Sequence, residues 1–314
     1  MKLILFFVVY TIAAGDLSLE WDKFKRDYNK QYATATEETE RKQIFIKNVN
    51  QMHSYQQTHS DATFRMAINH LADQNIEGLV SKRETHFQTR PALFKNFIEL
   101  KNFPESLDWR TKGVISSVFP TSQIGEIDIA VVSTELVETL YAIETGQLIE
   151  GSIPQVFDCC PQPIDVFNCI KNLSGICRKN DYPDIRWRCE SNKCTPFTTF
   201  DTINRLTDND EYKMVAWLQV STLWAELDAS EVDFLMYAGG VYNTSSCSQT
   251  TVDHVVQIIG YGSEEGIPYW LCKNNWGPDW GEKGYFRIAR GKNMCGISNV
   301  VIQVANSKKS GANQ

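Results

Sequence analysis

The chain has 314 residues, enough for one or two domains, and 42% hydrophobic with 11% aromatic content excludes a disordered or collagen-like polymer. Its 31 basic and 38 acidic residues leave a formal charge of −7, which argues against nucleic acid or an anionic membrane as the main partner. Nine cysteines, all between Cys159 and Cys295, are many for a reduced cytosolic chain, and the odd number leaves at least one thiol without an intramolecular partner.

Met1-Lys2, the apolar run Leu3–Ile12 and the small residues Ala13-Ala14-Gly15 make residues 1–15 read as a secretory signal peptide. No later stretch reaches the roughly 18 apolar residues of a membrane span, so none is expected. The chain is therefore assigned to the secretory pathway, extracellular or lysosomal. There disulfides persist, and Asn172-Leu-Ser174 and Asn243-Thr-Ser245 become glycosylation candidates. Residues 17–60 read as helix, with Trp21, Phe24 and Tyr28 at i, i+3, i+7 and Phe45, Asn48 and Met52 repeating the spacing. Residues 86–103 show no period and read as a linker. Ile129–Leu148 reads as a helix ended by Gly146. From about Tyr212 the pattern turns to strands: Leu223–Leu227, Val255–Ile259, Tyr269–Cys272 and Tyr285–Ile288. The tail from Asn306 should fray. Four of the five histidines lie in the first hundred residues, and Cys189 and Cys194 read as disulfide cysteines rather than half of a zinc site. No metal and no cofactor are expected.

Residues 252–297 carry the specific signal. Val252-Asp253-His254-Val255-Val256, Gly260-Tyr261-Gly262, Lys273-Asn274-Asn275-Trp276-Gly277 and Cys295-Gly296-Ile297 resemble the His and Asn segments of the papain-like cysteine proteases, most of all those of cathepsin L type. Glu37-x3-Arg41-x3-Phe45-x2-Asn48-x3-Met52-x3-Gln56 and Ala67-x-Asn69-x-Leu71-x-Asp73 resemble that family's propeptide signatures, and Phe103–Arg110 resembles the start of the mature enzyme. The resemblance implies an α+β, two-lobed papain-like fold, a helical lobe against a β-barrel-like lobe with the cleft between. It divides the chain into a signal peptide (1–15), a propeptide domain (16–85), a linker (86–103) and a peptidase-homology domain (104–314). In the family a thiolate attacks the carbonyl, a histidine moves the proton and an asparagine amide orients the imidazole. By motif these last two are His254 and Asn274, with Trp276 as their shield. The resemblance also pairs Cys247 with Cys295 and Cys159 with Cys189. Cys160, Cys169, Cys177 and Cys194 stay open among three connectivities. Cys272, in an apolar run, reads as inert packing and as the odd thiol.

The nucleophile is the departure. Counting backward from Leu148 and Gly146 puts its position on Asp128, and counting forward from Trp109 and Gly113 puts it on Ile127; neither is cysteine. Gln123, the residue matching the oxyanion glutamine, is displaced by one, with Ser122 in its place. Cys160-Pro161-Gln162-Pro163-Ile164 replaces a glycine-rich wall that would pair with substrate, and proline brings no N–H. Ser221-Thr222 stands where Gly-Pro is usual. In the backward register Asp128 opens the long helix facing His254, a carboxylate where the thiolate would be. The expected function is a catalytically silent homologue that keeps the cleft for binding, storage or inhibition. The alternative is a cysteine-type endopeptidase relative with residual or unorthodox activity. Expected partners are a peptide or protein ligand in the cleft and other papain-like proteases through the propeptide segment, with no nucleic acid. A monomer is expected.

Overall fold

The computed structural model describes residues 17–80, 103–120, 127–161, 165–184, 187–206 and 208–307. The signal peptide and linker expected at residues 1–15 and 86–102 therefore lie outside the described residues.

The helix expected over residues 17–60 is two helices. Helix α1 (17–27) ends where Asn29 takes a positive φ of 46°, and α2 is Ala35–Thr58. Thr34 caps α2 by accepting the Glu37 N–H (3.1 Å), while the Glu37 carboxylate reaches back to the Ala33 N–H (2.8 Å). The apolar period continues across the break, so periodicity alone does not reveal it; the Thr34-x-x-Glu37 pattern does. Phe45 packs its ring 5.3 Å from Trp21 and 4.8 Å from Phe24, which closes the two helices on each other.

Strand β1 (Phe64–Met66) then adds antiparallel to β5 (Tyr237–Tyr242) and makes this N-terminal unit an edge of the main sheet. The order along the sheet is β1-β5-β8-β7-β6-β4-β9-β3, with β2 (Leu107–Asp108) on β6. The remaining strands are β3 (Thr202–Leu206), β4 (Leu223–Leu227), β6 (His254–Glu264), β7 (Ile267–Lys273), β8 (Tyr285–Ala289) and β9 (Val301–Ala305). All four strand segments read from the sequence lie in β4, β6, β7 and β8. The strand region begins earlier than expected, however, at Thr202, and Tyr212 falls in helix α6 (Glu211–Leu218).

Facing the sheet, α3 (Asp128–Thr145) is buried along most of its length, including the polar Ser133, Thr134, Glu135, Glu138 and Thr139. It ends one turn before Leu148, because Gly146 takes φ 74° and returns its N–H to Ala142 O. Helices α4 (Ile153–Cys159) and α5 (Val166–Asn172) pack on its other side, with Leu136 of α3, Phe167 of α5, Trp224 of β4 and Val255 of β6 in one cluster. This is the α+β, two-lobed arrangement expected. A second cluster joins Trp21, Phe45, Phe64 and Leu71 of the N-terminal unit to Phe234, Tyr237, Tyr242 and Trp280 of the β lobe.

Gly240 sets the fit between these parts. Its φ is 90°, and a Cβ there would sit 2.6 Å from Thr63 O and 2.9 Å from Phe64 Cα, both backbone atoms that cannot swing aside. Gly240→Val is expected to weaken docking of residues 17–80 by about 3 kcal/mol, roughly a hundredfold in equilibrium. Faster proteolysis inside residues 17–80 with the C-terminal domain still folded checks this. Asn69→Ala, which removes the Asn69 Nδ2–Leu235 O bond (2.7 Å) and the local Leu71 N–H bond to Asn69 Oδ1 (2.8 Å), should weaken docking less. Unchanged cleavage in both variants would count against the contact's importance.

Candidate active site

His254 opens β6 and is buried; Asn274 follows the last residue of β7. The antiparallel register Gln257↔Lys273 folds the two positions, 20 residues apart in sequence, onto one end of the sheet. His254 Nε2 lies 2.7 Å from Asn274 Oδ1, and the Asn275 N–H donates to the same Oδ1 (2.9 Å). A backbone N–H needs an acceptor, so that contact assigns the amide oxygen, and Nε2 must then carry the hydrogen donated to it. Nδ1 is left as the nitrogen that can take up a proton. The Asn274 N–H is held by Gly284 O (2.9 Å), and Asn275 Nδ2 donates to Val255 O (3.2 Å), which pins both flanks. The Trp276 ring centre stands 4.8 Å from that of His254, itself wedged against Phe234 (5.5 Å) and Trp280 (5.3 Å). The pair therefore sits behind an aromatic wall that excludes water and strengthens its hydrogen bond.

Asp128 is the first residue of α3, preceded by Ile127 as N-cap, and is 2% exposed. The Ile129 N–H donates to Asp128 Oδ1 (2.7 Å), an anion-favouring contact at the positive end of a helix. Ile129, next to Asp128, and Val255, next to His254, belong to the same buried cluster. Gln123 and Ser122 lie outside the described residues, as do Gln162, Pro163 and Ile164 of the replaced wall.

All nine cysteines are described, and eight are bonded: Cys159–Cys189, Cys160–Cys169, Cys177–Cys194 and Cys247–Cys295. The Cys160–Cys169 bond closes the segment that replaces the glycine-rich wall. Cys272 alone is free; it is buried in β7 between Ile258 and Phe286, and burial pushes its thiol well above the usual range. A thiol in that state is neither a nucleophile nor reachable.

Beneath the histidine lies a charged network that sequence reading missed. Lys273, one residue before Asn274, pairs with Glu135 (2.8 Å), and its Nζ also donates to Ser116 Oγ (3.2 Å). The Ser116 hydroxyl donates to Glu138 Oε2 (2.8 Å), and the Gly151 N–H to Glu138 Oε1 (2.6 Å). Burial, then the neighbouring charge of Glu135, pushes the Glu138 carboxyl up to about 7. Burial also raises Glu135, against the pull of Lys273. Glu135 and Glu138, at i, i+3 among Leu136, Val137 and Leu140, were the available signal. Gln257 Nε2, from β6, donates to Thr139 Oγ1 of α3 (3.0 Å) and Thr222 Oγ1 (2.9 Å), a second tie between the lobes.

Residues 103–305 match the family model described as papain family cysteine protease, and residues 21–78 match the cathepsin propeptide inhibitor domain (I29). The chain is 33% identical to "Pro-cathepsin H" of Bos taurus over 308 residues, covering 91% of this chain and 90% of that protein. It is 31% identical to "Cathepsin L1" of Drosophila melanogaster over 321 residues, covering 93% and 86%. It also superposes on digestive procathepsin L2 proteinase of Tenebrio molitor larval midgut with a TM-score of 0.75 at 28% identity, covering 92% and 99% of the two chains. The recombinant stem bromelain precursor gives a TM-score of 0.81 at 24% identity, covering 93% and 100%.

Proposed function

Because the chain belongs to the papain family of cysteine proteases, we propose that it is a cathepsin L-like member that no longer hydrolyses peptides and uses its cleft to bind a peptide or protein ligand. The reading rests on the thiol accounting, with eight cysteines in disulfides and the ninth buried in β7, and on the backward count that gives the nucleophile position to Asp128, the first residue of α3. A carboxylate attacking an amide must expel a poor amine leaving group while forming an anhydride that reverts readily. The rival, residual hydrolysis with Asp128 as a base toward water, draws on its burial at the helix start. That mechanism would need the second carboxylate of an aspartic dyad.

The proposal assigns residues 1–15 to a cleaved signal peptide, 16–85 to the propeptide domain and 86–103 to a linker, with the product in the secretory pathway, extracellular or lysosomal. Docking onto its own β lobe keeps the propeptide at a high effective concentration against any competitor. Inhibition of other papain-like proteases would therefore follow its release rather than precede it. Purified full-length precursor should stay full length over hours at acid pH, and an epoxysuccinyl peptide should leave its mass unchanged. Shortening without added protease, or a mass adduct, counts against the proposal.

In the proposed site Asp128 faces His254 as a negative partner in place of sulfur. A carboxylate beside an imidazole favours the charged ring. Once residues 1–102 are removed, His254 is the only histidine, so its NMR titration is read without overlap. Asp128→Asn is expected to lower the midpoint. An unmoved midpoint would reduce Asp128 to a helix cap.

A further inference from the structure

Two tripeptides of the N-glycosylation type occur in the chain, and the structure treats them differently. Asn172 is the last residue of α5, and both it and Ser174 are exposed, with the half-buried Leu173 between them anchored on the helical lobe. Beyond it the chain turns sharply. Ser174 takes φ 63° and donates its N–H to Lys171 O (2.9 Å), and Gly175 then dives under Thr198 O, where a Cβ would stand only 1.9 Å away. The asparagine amide and the serine hydroxyl are thus carried on the outer side of a fixed turn, and the Asn172 side chain makes no hydrogen bond to the described residues.

Asn243 has the opposite setting. It is half-buried, and its Oδ1 accepts from Lys292 Nζ (2.5 Å). The middle residue of its tripeptide, Thr244, is bonded to Asp233 Oδ2 (3.1 Å) and lies 3.2 Å from Tyr55 Oη of α2. This tripeptide therefore sits at the seam where residues 17–80 dock, and a bulky, hydrated glycan on Asn243 would displace its bond to Lys292 beside that seam.

We propose that Asn172 carries an N-linked glycan and that Asn243 stays unmodified, a proposal that rests on the secretory-pathway reading. In the transfer, Asn172 Nδ2 forms a bond to the anomeric carbon of a lipid-linked oligosaccharide diphosphate. The sugar–oxygen bond to the diphosphate breaks, the lipid diphosphate leaves with the electron pair, and the amide gives up one proton; nothing is oxidised or reduced.

Full-length chain secreted from eukaryotic cells should lose the mass of one glycan on treatment with peptide N-glycosidase. Asn243→Gln should lose the same mass, and Asn172→Gln should lose none. Ser174→Ala, which keeps the asparagine but breaks the tripeptide, should match Asn172→Gln if that variant folds poorly. A secreted, disulfide-bonded chain whose mass does not change on treatment overturns the assignment, as does loss of two glycans or loss of the shift in Asn243→Gln. A chain retained in the cytosol with its thiols reduced overturns the secretory reading and this site with it.

Discussion

A chain freed of residues 1–102 is expected to turn over dipeptidyl fluorogenic substrates at least about 10³-fold more slowly than a thiol-bearing relative, the usual cost of losing a nucleophile that acts with its base as one unit. His254 and Asn274 are in place, with Nε2 on the amide oxygen at 2.7 Å, so the proton-handling half of the machinery is built. In the proposed reading the missing part is the group to be deprotonated. Asp128→Cys therefore separates two steps. Its thiol, at a helix start beside an imidazole, should become reactive toward an epoxysuccinyl peptide. In the proposed reading turnover should still lag by roughly 10²-fold or more, because the sequence count puts the oxyanion glutamine one residue out of register and the prolines of the Cys160–Ile164 segment bring no N–H to substrate. Wild-type turnover blocked by a thiol-directed epoxide would sink this expectation and point to Cys272, against its burial in β7.

The second large effect is on stability. Glu138 is buried with a pKa raised from 4.5 to about 7, so folding takes up a proton between those values, and stability falls as pH rises through that window. The shift corresponds to about 3 kcal/mol, on the order of 10 °C in melting temperature for a domain of this size. Glu135, also raised by burial, acts in the same sense. Glu138→Gln keeps an acceptor for the Gly151 N–H and a partner for Ser116 but removes the titration. Its melting temperature should fall less than that of the wild type from pH 5 to 7.5, with Glu135 carrying the remaining decline. Equal declines in both proteins would move the pH dependence elsewhere.

Local pattern carried much of the fold. β4 spans Leu223–Leu227 as its apolar run does, and α3 stops at Gly146 because only a residue tolerant of positive φ can end the helix there. His254 and Asn274 were legible because their flanking motifs are contiguous in sequence. The same contiguity left the nucleophile position split between Ile127 and Asp128, since a one-residue insertion shifts every count made across it. The first turn of α3 separates them, with Ile127 as the cap and Asp128 inside. Pairings across distance stayed closed to the sequence. Three connectivities of Cys160, Cys169, Cys177 and Cys194 were open, and only the fold brings Cys169 beside Cys160 and Cys194 beside Cys177. The Ser116–Glu138–Lys273–Glu135 network draws on three segments up to 157 residues apart, which no single stretch of sequence brings together. Periodicity and motifs record which face a residue turns inward. Which buried charges meet there, and therefore which of them hold a proton at neutral pH, is decided only when α3 closes onto the sheet.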